Sequence, residues 1–338
     1  MRPRWITMTV LAAAVITGCG SSLPAPTPPP PVLPPAAEPA PAPVPTAPPA
    51  GRTVLVGTGA EGVVVDPRTH IVAVGVRDPF ALALLDASTG AVLRKVPLPG
   101  GLRHLQLAAP GGPVLVPDEG SNRLLRVALP GGEITSQVVT GVVPHDATAA
   151  ANGTVFVSND LGHSVVALRG NQIVHTFTDV TQPAGLAAVG DLVGLVDVRK
   201  NTLTVYDAGR LQRVAELPAG AGPTHVVADK HGHLAVIDTR GGAVLLYALQ
   251  PTIRQIGKVA LPGTPYGVAY DPVRDRLWVT LTALNEVIGL NLSAEEPVLA
   301  TPLPTVRQPN TVAMDSSTGR LFVTGTAEGV LEIIERVT

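Results

Sequence analysis

Asp146-Ala-Thr-Ala-Ala-Ala-Asn-Gly-Thr-Val-Phe-Val-Ser-Asn159 reads as a β-hairpin. Asn152-Gly153 is a hairpin turn pair, and the run after it is rich in β-branched and aromatic residues. Working outward, Leu161-Gly-His163 is a loop and residues 164–168 are a third strand. Gly170-Asn171 is a turn, residues 173–178 are a fourth strand, and Gln182-Pro183 restarts the cycle. The first strand, residues 146–150, has six counterparts: Gly62-Val-Val-Val-Asp66, His104-Leu-Gln-Leu-Ala108, Gly185-Leu-Ala-Ala-Val189, His225-Val-Val-Ala-Asp229, Gly267-Val-Ala-Tyr-Asp271 and Thr311-Val-Ala-Met-Asp315. From first residue to first residue the steps are 42, 42, 39, 40, 42 and 44. A period of this length filled with short strands and Gly/Pro turns means four-stranded blades in a ring. The expected fold is therefore all-β, a seven-bladed β-propeller.

The seventh repeat supplies only three strands before the chain ends at Thr338. The missing fourth is expected from Arg52-Thr-Val-Leu-Val-Gly57, which stands just before the first repeat. Pairing it with the last blade would close the ring and remove the two exposed sheet edges.

Ahead of the ring the composition changes twice. Arg2 and Arg4, an apolar run over residues 5–16 and then Ile16-Thr-Gly-Cys19 stand in export-signal order. Cys19 is the only cysteine, so no intrachain disulfide is available and the fold must hold by packing. Residues 20–50 are rich in Pro and Ala, cannot bury a core, and favour extended polyproline geometry with a reach of roughly 90 Å. The resulting division is a signal peptide over 1–18, a lipidated Cys19 with a Pro/Ala tether over 19–50, and the propeller over 51–338. The tether is expected to pack against nothing.

Net charge is −2 and no basic stripe is present, which argues against nucleic acid as a partner. Aligning the repeats brings one group of side chains to one mouth of the central channel: Glu61, Arg103, His104, His145, Asp146, Thr224, His225, Tyr266 and Asn310. The fourth blade adds only Ala184 and Gly185. Three imidazoles, carboxylates and an arginine on one rim make a candidate ligand-binding or metal site. A second column closes the second strands, with Asp118, Asn159, Asp197 and Asp238 and, in the other blades, Gly75, Leu281 and Gly325. Short Asx side chains there are expected to bond loop amides. His231-Gly-His233 falls in a hairpin turn at the opposite rim and reads as structural. There is no Gly-x-Ser-x-Gly elbow and no Gly-rich phosphate loop before a helix.

Three resemblances follow from these residues. Ile16-Thr-Gly-Cys19 resembles the lipobox of bacterial lipoproteins, which implies cleavage before Cys19, acylation of its sulfur and anchoring at the membrane. Phe156-Val-Ser-Asn159, with partial copies Leu277-Trp-Val-Thr280 and Leu321-Phe-Val-Thr324, resembles the repeat phrase of YVTN-type propellers across residues 52–338. Ala60-Glu-Gly-Val63 resembles the opening of the gluconolactonase propellers, whose glutamate ligates a divalent cation. Ala184 and Tyr266 stand where that family has Asn and Asp, so its ligand set is broken. The histidines suit a transition metal such as zinc, or a His-dependent lyase of the virginiamycin-lyase type.

The resulting expectation is a lipid-anchored, extracytoplasmic binding or scaffolding module at the cell envelope, with an envelope protein or a small molecule as its ligand. The alternative is a metal-dependent hydrolase or lactonase, or a lyase, using Glu61 with His104, His145 and His225 and a divalent metal.

Overall fold

The computed structural model describes residues 33–292 and 297–335. The export-signal segment and Cys19 lie outside the described residues. Residues 34–338 form one compact unit, and its architecture is the expected seven-bladed β-propeller. The innermost strands are Glu61–Asp66, Gln106–Leu107, Pro144–Ala149, Pro183–Val189, Pro223–Ala228, Pro265–Asp271 and Pro309–Asp315. Each begins an antiparallel meander that runs outward from the channel. The sixth blade departs from the pattern. Its outer edge is two short pieces, Val298–Leu299 and Leu303–Pro304, both paired with Glu286–Asn291.

Ring closure is by the strand expected from the sequence. Arg52–Leu55 pairs antiparallel with Val330–Ile334, from Arg52↔Ile333 to Leu55↔Val330. Glu332 locks the junction. It is fully buried, and its carboxylate accepts from Gly51 N at 2.8 Å and from Val306 N at 3.0 Å.

The core lies between blades, because each blade is apolar on both faces. One cluster fills each interface, including that between the seventh and first blades, where Phe322, Leu331 and Ile333 meet Val72, Val74 and Leu85. Phe156, Phe177 and Tyr206 make the aromatic contact between the third and fourth blades, with Phe177 and Tyr206 ring centroids 4.3 Å apart. Side chains of this size, fully buried, stabilise by about 1.5–3 kcal/mol each.

Two local devices set the channel. The first is a bulge in the inner strand of six blades, for example between Pro144 and Asp146 and between Pro265 and Val268. A bulge re-aims side chains and frees a backbone N–H from the ladder. In three blades that N–H is taken by a hydroxyl of the second strand. Asp146 N donates to Ser158 Oγ (3.1 Å), Gly267 N to Thr280 Oγ1 (2.9 Å) and Thr311 N to Thr324 Oγ1 (3.2 Å). The Ser/Thr of the repeated phrase thus has a physical role.

The second device is the Asx column, whose aspartates bond loop amides as expected, while Asn159 instead donates from Nδ2 to Thr140 O at 3.1 Å. Asp197 accepts from Thr181, Gln182, Arg199 and Lys200 N–H groups. Asp238 accepts from those of Ala221, Gly222 and Gly241. In the first blade the register Val63↔Val74, set beside Ala147↔Val157 in the third, puts Val76 rather than Gly75 in this column.

Candidate functional site

The bulged starts of six inner strands, and in the second blade the loop before Gln106–Leu107, bring two layers of residues to one mouth. Glu61, Arg103, His145, Ala184, Thr224, Tyr266 and Asn310 make the outer layer. Gly62, His104, Asp146, Gly185, His225, Gly267 and Thr311 make the inner one. Glycine in the inner layer is a packing requirement. A Cβ on Gly267 would lie 2.5 Å from Asn310 O, and Gly62 holds φ +73° with Arg103 O at 2.9 Å from such a Cβ. Backbone of the next blade fills the space a side chain would need at each of them.

His104, His145 and His225 come together at the axis, as the repeat alignment expected. The His104 ring centroid lies 4.6 Å from that of His145 and 4.7 Å from that of His225, and Tyr266 stands 4.4 Å from His225, edge to face. The cluster sits between two cavities. A channel of about 360 Å³ is lined by His104, His225, Gln106, Asp146 and Thr148. On the other side a pocket of about 30 Å³ lies beneath residues 36–38, lined by Arg103, His145, His225 and Tyr266.

The carboxylate that meets the histidines is Glu119, not Glu61. His145 Nδ1 donates to Glu119 Oε1 at 3.2 Å, and Arg103 Nε lies 3.4 Å from the same oxygen. Glu61 is taken by Arg77 (3.2 Å) and Asn310 (3.2 Å). Glu119 follows Asp118 of the Asx column, and the next residue in other blades, such as Asp160 or Val198, also lines this mouth. That offset was the available signal. Asp146 turns down the channel, accepting from Gln106 Nε2 (3.0 Å) and Leu186 N (2.8 Å). Thr224 bonds Thr239 (2.6 Å) and His225 Nδ1 (3.0 Å).

Charge states follow from these neighbours. Burial pushes the imidazole of His104 well below its usual range, with the charges of His145 and His225 adding to it. Burial, then the His145 charge, brings His225 down to about 3. Its Nε2 is buried without a hydrogen-bond partner among the described residues. Burial also pulls His145 down, but the hydrogen bond to Glu119 and its charge outweigh it and leave the pKa raised. Glu119 is the converse: burial raises it, while His145, Arg103 and Arg77 bring the net value below normal. Burial lifts Asp146 to about 6 despite its hydrogen bonds. The mouth thus sets a His145–Glu119 pair, in which each partner favours the charged form of the other, beside two imidazoles whose surroundings favour the neutral form.

Among the described residues no group of three or more His, Cys, Asp and Glu side chains is arranged to hold a metal ion. His231 and His233 bond different partners, Asp275 Oδ2 (2.8 Å) and Asp229 Oδ2 (3.0 Å).

One expectation is corrected by the packing around the mouth. Residues 35–43 of the Pro/Ala tether do not stand free. They cross this mouth, with Ala37 and Ala42 buried and Glu38 Oε2 placed 3.9 Å from Arg103 Nη1.

No protein-family model and no curated protein matches the chain. Solved structures do. Hydrazine synthase of Kuenenia stuttgartiensis is similar at 14% identity and TM-score 0.72, over 82% of this chain and 96% of that one. A chain from a mitotic checkpoint complex is similar at 13% identity and TM-score 0.72, over 89% of this chain and 96% of that one. Virginiamycin B lyase of Staphylococcus aureus is similar at 14% identity and TM-score 0.70, over 83% and 98%. At these identities the likeness carries the seven-bladed ring and nothing of its chemistry.

Proposed function

We propose that this chain is a lipid-anchored, extracytoplasmic propeller acting as a binding or scaffolding module at the cell envelope, with the histidine-bearing mouth as its recognition face. The observation that carries the reading is how the chemistry-bearing side chains of that mouth are occupied. Glu119 is held by His145 and Arg103, Glu61 by Arg77 and Asn310, and the opening is crossed by the chain's own residues 35–43. Such a face suits recognition better than turnover. Anchoring rests on the lipobox-like Ile16-Thr-Gly-Cys19. Cys19→Ala should move the protein out of the detergent phase on partitioning. Unchanged partitioning would remove the anchor from the reading.

One observation favours a second reading. A His145–Glu119 hydrogen bond inside a propeller, each partner favouring the charged form of the other, has the make-up of an acid–base couple, and one of the similar folds is a lyase. That reading, and the metal-dependent hydrolase or lactonase, are separated from the first by elemental analysis of dialysed protein and by His145→Ala. Stoichiometric metal lost in that variant would favour an enzyme. No metal in either protein would remove the metal-dependent hydrolase or lactonase and leave the binding module and a metal-free lyase, which turnover of a lyase substrate lost in His145→Ala would tell apart.

A further inference from the structure

The segment over the mouth is held almost wholly through its backbone. In Pro39-Ala-Pro-Ala-Pro43 only Ala40 and Ala42 own an amide hydrogen. The ring takes both: Ala40 N donates to Thr282 Oγ1 (3.0 Å) and Ala42 N to Gln308 Oε1 (2.8 Å). The same Gln308 amide donates from Nε2 to Ala40 O (3.0 Å), so one side chain spans residue 40 and residue 42. Asn285 Nδ2 donates to Pro43 O (2.9 Å), Arg307 Nε to Ala42 O (3.2 Å) and Arg240 to Pro35 O (2.6 Å). The buried side chains of the segment are methyl groups. Gly222 makes room for one of them, since a Cβ there would lie 2.9 Å from that of Ala37. Glu38 adds a carboxylate facing Arg103.

These contacts read a pattern: extended backbone, donors only at alternate positions, small side chains and one acid. Any chain with that pattern meets the same donors and acceptors, and a proline-fixed chain loses little entropy on docking. We infer that this mouth is a docking groove for extended Ala-Pro peptide segments carrying a carboxylate, that residues 35–43 fill it in cis, and that its partner is a protein segment of this chemistry bound in trans. The inference rests on the reading of the chain as a binding module and names its partner class. Anchoring and metal content test that reading separately. Because the cis segment is tethered, its effective concentration is on the order of millimolar, so it suppresses binding in trans until displaced.

The test uses the full chain and a fluorescein-labelled synthetic peptide of residues 34–44. Ala37→Arg with Ala42→Arg should expel the cis segment. Anisotropy should then show that variant binding the peptide at least about tenfold more tightly than the unaltered chain. Adding Gln308→Ala should abolish the gain, and a peptide with glutamine for its glutamate should bind several-fold more weakly. A second measurement needs no variant. Millimolar peptide added to the unaltered chain should speed hydrogen exchange at the Ala40 and Ala42 amides, read by NMR. Absence of peptide binding by a double variant whose ring melts normally would overturn the inference, as would unchanged exchange at both amides.

Discussion

At the residue scale the mouth is a set of groups whose charge states are decided by what they face. His225 carries the clearest consequence. Its folded-state pKa is about 3, through burial first and the His145 charge second, against an ordinary value near 6.5. Between those values the unfolded chain binds a proton that the folded chain refuses, so this residue's contribution to stability is present above about pH 6.5 and lost as pH falls toward 3. Asp146 has the opposite sign over part of the window. With a folded-state pKa of about 6 it favours the folded state more as pH falls from about 6 to about 4. The difference between wild type and His225→Gln isolates the imidazole. Measured by denaturant unfolding, the stability of the variant relative to wild type should improve by about 2–3 kcal/mol between pH 7 and pH 4.5. A difference that does not change with pH would contradict the buried, neutral imidazole.

At the element scale the informative unit is the bulged inner strand with the hydroxyl opposite it. The Ser/Thr of the repeated phrase looks from sequence like a β-propensity choice. Its position shows a second role, since Thr280 is fully buried and accepts from Gly267 N, whose glycine is itself required by Asn310 O. Thr280→Val keeps the shape and removes the acceptor, which leaves a buried N–H unpaired. Unfolding in urea should show a loss of about 1–3 kcal/mol. Thr280→Ser should keep most of the stability, and a valine variant as stable as the serine variant would remove the hydroxyl's role.

At the scale of the whole molecule the ring is held by its closure. The seventh blade obtains its outer strand from Arg52–Leu55, so strands far apart in sequence share one sheet. A chain starting at residue 34 keeps both the segment over the mouth and the closing strand. One starting at residue 51 loses the former, and one starting at residue 58 loses both and bares the edge of Val330–Ile334. Melting temperature should fall modestly at the first step and steeply at the second, with light scattering rising only for the shortest chain. Equal melting of the last two would show that closure does not depend on residues 52–55.

The sequence by itself determined the number of blades, the order of strands within them, the closing strand and the backbone-binding role of the Asx column. All of these are written in local signals: a period near forty, turn pairs such as Asn152-Gly153, and a final repeat one strand short. It also brought the three histidines to one mouth, because equivalent positions in a ring of repeats must share a rim. Only the tertiary structure decided which side chains there touch. Glu119 rather than Glu61 meets His145, and Asp146 turns down the channel, because side-chain direction there depends on the bulges of six inner strands and on the loop before the second blade's short inner strand, which the repeat alignment does not carry. The docking of residues 35–43 was equally out of reach of the sequence. A Pro/Ala run has no hydrophobic periodicity to announce a buried face. Its partners stand far along the chain, with Ala40 and Thr282 separated by 242 residues, and they meet only when the ring has closed.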